Sequence, residues 1–156
     1  MNISDSGIRL IKSFEGCKLQ SYPDPKTGNA PWTIGWGSTG PDVVPGMIWS
    51  QAQADARLRA DLEEFENIVR ANVTADLTQG QFDALVSIVY NVGPGGKLKD
   101  GIIRLKNGQP SSLLRFLNEW DYQAAGEQFL RWVSPGSSVE AGLRRRRQAE
   151  LALFES

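Results

Sequence analysis

Residues 11–37 read IKSFEGCKLQSYPDPKTGNAPWTIGWG, and this stretch decides the fold because the chain changes character inside it. Residues 5–14 place apolar side chains at helical spacing, which predicts a short amphipathic helix where the stretch begins. Glycines, prolines and aromatic residues dominate afterwards, and residues 32–36 are typical of a short strand whose two tryptophans share one face. We therefore expect a small β-hairpin or three-stranded sheet within residues 17–46.

The rest of the chain is predicted to be helical. Ser50 with Gln53, and Thr78 with Gln81, have the spacing of helix-starting capping boxes, and the first of these helices is long. The second helix is expected to end at the glycines of residues 93–96. Further helices are predicted near residues 98–106, 110–118, 121–132 and 139–154.

This order of elements predicts an α+β fold in a single domain of 156 residues. We expect a β-containing lobe at about residues 15–50 and a helical lobe at about residues 70–156. The long helix that starts near Ser50 would join the lobes, and the N-terminal helix would pack on the helical one.

The composition excludes several classes of function. The chain has no histidine, which rules out Ser-His-Asp and Cys-His hydrolases and removes the commonest transition-metal ligand, so no cofactor is expected. Cys17 is the one cysteine, and we expect it to be a small buried apolar residue. A net charge of −1 predicts no affinity for nucleic acid, and no signal peptide or membrane anchor is recognised. Carboxylates remain as proton carriers.

Three residues have the chemistry that cleavage of a glycosidic bond needs. Glu15 follows the first helix beside Phe14, where a partly apolar setting favours the protonated form of a carboxyl. Asp24 lies in a proline-rich turn that keeps a carboxylate hydrated, and the Thr33 hydroxyl is positioned to hold a water against it. Taken alone, Glu15 is more typical of a solvated helix end, Asp24 of a turn and Thr33 of an ordinary strand than of a catalyst.

The combined pattern is more specific. Residues 11–16 (IKSFEG), 22–24 (YPD) and 32–37 (WTIGWG) together resemble the signature of the phage-type lysozymes, the endolysins of glycoside hydrolase family 24. The likeness continues through residues 81–93 and into residues 142–147, so it covers nearly the whole chain.

The resemblance implies that Glu15 is the general acid, that Asp24 orients or activates water, and that Thr33 assists it. It implies hydrolysis, with inversion, of the β-1,4 bond between N-acetylmuramic acid and N-acetylglucosamine in peptidoglycan. Asn118 matches a position where the family contacts the sugar chain, and Trp36 and Arg144 are further substrate-binding candidates.

The resemblance also implies a cellular setting and leaves alternatives open. A monomer without stable membrane insertion would collect in the host cytoplasm and reach the wall through a holin-type lesion. Ser38 stands where the family usually has histidine, which keeps open a peptidoglycan-binding protein without catalysis. A lytic transglycosylase, which also needs a catalytic glutamate, is the alternative among enzymes.

Two further expectations concern side chains outside this signature. Of the four consecutive arginines at 144–147, we expect some to be solvated, some to pair with Glu140 or Glu150, and some to attract an anionic wall. Trp132 is assigned to the core.

Overall fold

The structure is a computed structural model that describes residues 1–156. It confirms the predicted α+β class, since six α-helices accompany one two-stranded antiparallel sheet. The elements are α1 Asp5–Phe14, β1 Lys18–Tyr22, β2 Thr33–Gly35, α2 Gln51–Asn72, α3 Gln79–Val92, α4 Ser112–Asn118, α5 Tyr122–Gln128 and α6 Glu140–Phe154. A single 3₁₀ turn, Phe129–Arg131, follows α5. None of these helices combines the length and the hydropathy that a membrane-spanning segment requires.

The chain divides into two compact units. The first, called here the hairpin unit, is Ile11–Glu64 and contains the sheet. The second, called here the helical unit, combines Met1–Leu10 with Phe65–Ser156. The first two helices of the chain therefore each contribute residues to both units.

The sheet of the hairpin unit is a short hairpin with an irregular register. Lys18 lies opposite Gly35 and Tyr22 opposite Thr33, so β1 has extra residues between two paired positions. The predicted strand at 32–36 is shorter than expected, because only Thr33–Gly35 is extended. Trp32 and Trp36 both lie outside it, so the prediction that they share a strand face is wrong.

Gly35 ends β2 in a conformation that requires glycine. Its φ is +67°, in the left-handed region that side chains with a Cβ rarely adopt. The Trp49 ring would also lie only 3.1 Å from an added Cβ. The left-handed conformation of Gly35 therefore ends the strand after three residues.

The long helix α2 begins as predicted. The Gln53 backbone N–H donates to Ser50 Oγ at 3.1 Å, and the Ser50 N–H donates to Gln53 Oε1 at 2.8 Å, which is a reciprocal capping box. Within the hairpin unit the helix buries Leu58 and Leu62 completely. Because these two side chains are four residues apart, they form one apolar face.

The helical unit is organised around α3. Its predicted capping box between Thr78 and Gln81 is present, and Gly93 terminates it as expected. All eight residues from 82 to 89 are buried, including Asp83, which accepts hydrogen bonds from the backbone N–H and hydroxyl of Ser4. The start of the chain is thereby fixed on α3.

The predicted helix at residues 98–106 is wrong, because this segment is a loop that folds back on the end of α3. The N–H groups of Ile103 and Arg104 both donate to the Pro94 carbonyl, at 3.0 and 2.9 Å. Gly95 and Gly101 allow this, because a Cβ on Gly95 would lie 1.9 Å from the Arg104 carbonyl oxygen. The close backbone contact determines the conformation of this segment, and the helical spacing of its apolar residues does not.

The run of arginines divides between surface and interior. Arg144 pairs with Glu140 at 2.8 Å, whereas Arg146 and Arg147 are buried around Glu150. The expected pairing with the two glutamates is thus confirmed. The two buried arginines were not expected to be interior, because side-chain type alone predicts exposure.

Two predicted core residues are only half-buried. Cys17 lies in the link between α1 and β1, with its sulfur 3.8 Å from Gln51 Nε2. Trp132 follows the 3₁₀ turn, where its neighbours Phe129 and Val133 are the fully buried residues. Neither belongs to the core proper.

Candidate active site

Glu15 lies one residue beyond α1, in the hairpin unit. Its backbone N–H donates to the Ile11 carbonyl at 3.0 Å, so the helical hydrogen-bond pattern continues through it. The residue is half-buried. A rigid helix therefore fixes the backbone of this carboxyl, and the side chain retains access to solvent.

Asp24 begins the loop that joins the two strands. Its Oδ1 accepts the Lys26 N–H at 2.8 Å, its backbone N–H donates to the Asn29 carbonyl at 2.9 Å, and its carbonyl accepts the Gly28 N–H at 2.7 Å. The loop between the two strands is thus closed by Asp24 itself. Asp24 Oδ1 accepts this one side-chain hydrogen bond, and Asp24 Oδ2 accepts none from the protein.

Thr33 starts β2 directly opposite Tyr22. Because Asp24 follows Tyr22 by two residues, Asp24 and Thr33 emerge at the same end of the hairpin. Both residues are half-buried, and the Thr33 hydroxyl has no protein hydrogen bond. One end of the hairpin therefore carries a carboxylate and a hydroxyl that are both partly exposed to solvent.

Trp36 belongs to a polar cluster with α1 and α2. Its indole N–H donates to Asp55 Oδ1 at 2.8 Å, and Lys12 Nζ lies 3.2 Å from the same oxygen and 5.2 Å from the indole centre. Gln51 donates to that oxygen as well, at 2.9 Å. The hydrogen bond from Trp36, followed by those from Gln51 and Lys12, holds the pKa of Asp55 below its ordinary value.

Lys12 connects this cluster to the predicted acid. It lies three residues before Glu15, on the same side of the helix end. Asp55 binds the Lys12 ammonium and balances its charge. The cluster is therefore positioned to fix the turn that carries Glu15.

Ser38 supports the hairpin in place of the histidine that the family pattern has. It is buried, exchanges two backbone hydrogen bonds with Ile34, and its hydroxyl donates to Asp61 Oδ2 at 2.6 Å. Arg57 donates to the other Asp61 oxygen at 2.8 Å and to Asp42 at 2.6 Å. The Ser38 hydroxyl and the Arg57 guanidinium are thus connected through the Asp61 carboxylate.

The charges in this network stabilise one another. The hydrogen bond from Arg57 holds the pKa of the Asp42 carboxyl below its ordinary value. The hydrogen bonds to Asp42 and Asp61 raise the pKa of the Arg57 guanidinium. Sequence reasoning missed this network, although the four-residue spacing of Arg57 and Asp61 was a signal for it.

The two other predicted substrate contacts, Asn118 and Arg144, lie in the helical unit. The Asn118 side chain accepts from the Thr74 N–H at 2.8 Å and donates to the Asn72 carbonyl at 2.9 Å, which ties α4 to the link between α2 and α3. Arg144 is exposed and paired with Glu140. Contact of either residue with sugar stays a prediction.

Comparison with known proteins identifies the family. A sequence model of the phage lysozyme family matches residues 12–150. The chain is 44% identical over 154 residues to an endolysin of Bacillus phage B103, with 99% of this chain and 54% of the relative aligned. The chain therefore belongs to the phage lysozyme family.

Solved structures agree with this assignment. The chain is 36% identical to the muramidase domain of SpmX from Asticaccaulis excentricus, with a TM-score of 0.80, and 99% of this chain and 98% of that domain are covered. It is 35% identical to a P22 lysozyme mutant, also with a TM-score of 0.80, and 100% and 99% of the two chains are covered. By contrast, the chain spans little more than half the length of the curated relatives from Bacillus phages.

Proposed function

We propose that this chain is an endolysin with muramidase activity, which hydrolyses the β-1,4 bond between N-acetylmuramic acid and N-acetylglucosamine in peptidoglycan. Its membership of the phage lysozyme family supports this, as do relatives named endolysin and muramidase domain. The proposal extends to host-cell lysis.

In the proposed reaction, Glu15 donates its proton to the leaving glycosidic oxygen as the bond to the anomeric carbon breaks. A water held between Asp24 and Thr33 attacks that carbon, and Asp24 accepts the proton that the water loses. Attack from the opposite side of the sugar gives the inversion that the family resemblance implies.

The observation that carries this proposal is the pair of unused oxygens at one end of the hairpin. Asp24 Oδ2 and Thr33 Oγ1 make no protein hydrogen bond, although both residues are half-buried. A carboxylate oxygen that accepts and a hydroxyl that can accept or donate are suitable partners for one water.

Three side chains are proposed to bind the glycan. The Trp36 ring would contribute apolar surface, and Arg144 would attract the anionic wall. Asn118 would use the amide hydrogen and the carbonyl lone pair that its two backbone bonds leave unused. We further propose that the protein acts as a monomer, and that it reaches the wall from the host cytoplasm through a membrane lesion of the holin type.

Mass spectrometry of the fragments released from purified peptidoglycan tests the reaction. Hydrolysis predicts fragments that end in a reducing N-acetylmuramic acid with one added water. Fragments that end in the anhydro sugar would instead show a lytic transglycosylase. Retention on the wall without any released fragment would show a binding protein.

A further inference from the structure

Trp120 occupies a backbone position that suits glycine. It follows the C-cap of α4 with a φ of +64°. The Trp120 N–H donates to the Leu117 carbonyl at 3.0 Å, and the Asp121 N–H donates to the Phe116 carbonyl at 2.9 Å. These two bonds form a Schellman motif, in which glycine is usual at the left-handed residue because any Cβ is strained there.

The fold gains little from the Trp120 side chain. The residue is 55% exposed, and its ring makes an edge-to-face contact with Tyr122, with the ring centres 6.2 Å apart. A large apolar side chain that is both strained and exposed is therefore not explained by packing. Strain of this kind is characteristic of functional positions.

Tyr122 connects Trp120 to a cavity of about 600 Å³ in the helical unit. Its hydroxyl donates to the Asp76 carbonyl at 2.6 Å, which fixes the ring in place. Amide, carboxylate and aromatic side chains line the cavity, among them Gln81, Gln123, Glu127, Phe154 and Glu155.

We propose that Trp120, Tyr122 and this cavity bind a strand of peptidoglycan glycan, separately from the catalytic carboxylates. Aromatic rings pack against the apolar faces of sugars, while amides and carboxylates pair with hydroxyl groups. The lining contains no lysine or arginine, which disfavours phosphates and the carboxylates that end stem peptides. This choice of ligand rests on the proposed function, because the polymer that this site binds is the polymer that the enzyme is proposed to cut.

Replacing Trp120 with glycine separates binding from stability. Trp120→Gly relieves the strained backbone, so its melting temperature should rise by about 2–4 °C. Its rate on a short soluble glycan should equal that of the wild type, whereas the fraction that sediments with insoluble peptidoglycan in the cold should fall at least fivefold. Trp120→Tyr keeps an aromatic ring and should retain most of the binding.

Leu98→Ala is the matched control, because Leu98 is 95% exposed in the same unit and should not affect sedimentation. Sedimentation of Trp120→Gly at the wild-type level would overturn the proposal. So would competition by free stem peptides but not by glycan strands stripped of peptide. If the wild type leaves the soluble glycan uncut, the proposed hydrolysis fails, while the sedimentation result still decides this site.

Discussion

The hairpin unit and the helical unit are stabilised by different interactions. The hairpin unit buries only six apolar side chains, namely Ile11, Ile34, Val43, Ala54, Leu58 and Leu62, and its chain segments are linked by hydrogen-bonded networks around Asp55 and Asp61. The helical unit buries three times as many apolar side chains, with α3 at their centre. The buried charged residues also lie in the helical unit, namely Glu66, Asp83, Arg146, Arg147 and Glu150.

This difference indicates how the molecule divides its tasks. Apolar burial is non-directional, and it stabilises the helical unit without setting the direction of any one polar group. Hydrogen bonds are directional, and those of the hairpin unit fix the segments that carry the proposed catalytic residues. Mutations that affect stability and mutations that affect rate should therefore fall mainly in different units.

The largest stability effect is expected at the buried charges of the helical unit. Glu150→Ala leaves Arg146 and Arg147 buried without their shared carboxylate, and the Ser87 hydroxyl loses its acceptor. Removing one partner from a buried ion pair costs about 3–5 kcal/mol. Urea unfolding should show this loss.

Glu155→Gln is the control for this experiment, because Glu155 is an exposed acid at the end of the same helix. It should change the free energy of unfolding by no more than about 0.5 kcal/mol. An equal loss from both variants would contradict a special role for the buried carboxylate.

A smaller stability effect, with a larger effect on rate, is expected in the hairpin unit. Asp61→Ala removes the acceptor of the buried Ser38 hydroxyl and one partner of Arg57, at a cost of about 1–3 kcal/mol. Because Ser38 would lose its hydrogen bond to α2, the rate of peptidoglycan hydrolysis should fall more than tenfold at a temperature where the variant is folded.

Ser38→Ala sharpens this comparison. It leaves Asp61 bound to Arg57, so the loss should be only about 1 kcal/mol, with the rate within a few-fold of the wild type. Full activity of Asp61→Ala at unchanged substrate affinity would show that the network does not position the hairpin.

The smallest effect is expected from the pH dependence of Asp55. Its pKa is lower in the folded protein, so its stabilisation is complete above the unfolded value of about 3.9 and is lost as the pH falls through the folded value. Below about pH 4, the melting temperature of Asp55→Asn should therefore fall less steeply with decreasing pH than that of the wild type. Parallel curves of melting temperature against pH would contradict this assignment.

The sequence predicts helices better than loops and networks. α1 and α3 begin and end where periodicity, caps and glycines indicate, because those signals are local. Local signals predict a helix at residues 98–106, because nothing local shows that the N–H groups of this loop bond to the Pro94 carbonyl. The hydrogen bond from Ser38 to Asp61 was missed because it joins residues that are distant in the chain.

The same limit applies to the candidate site. The residue types at Glu15, Asp24 and Thr33 are recognisable from motifs, and the hairpin register places the last two at the same end of the sheet. The hydrogen bond from Trp36 to Asp55 and the burial of Arg147 depend on tertiary packing, which residue spacing does not encode.

The central claim is that Glu15 supplies the proton that breaks the glycosidic bond. The most direct test compares Glu15→Gln with Glu63→Gln, an exposed acid of the same unit, by release of soluble fragments from purified peptidoglycan. Glu15→Gln should lose about 10²–10⁴-fold in rate with an unchanged melting temperature, and Glu63→Gln should match the wild type. A wild-type rate from Glu15→Gln would contradict the account.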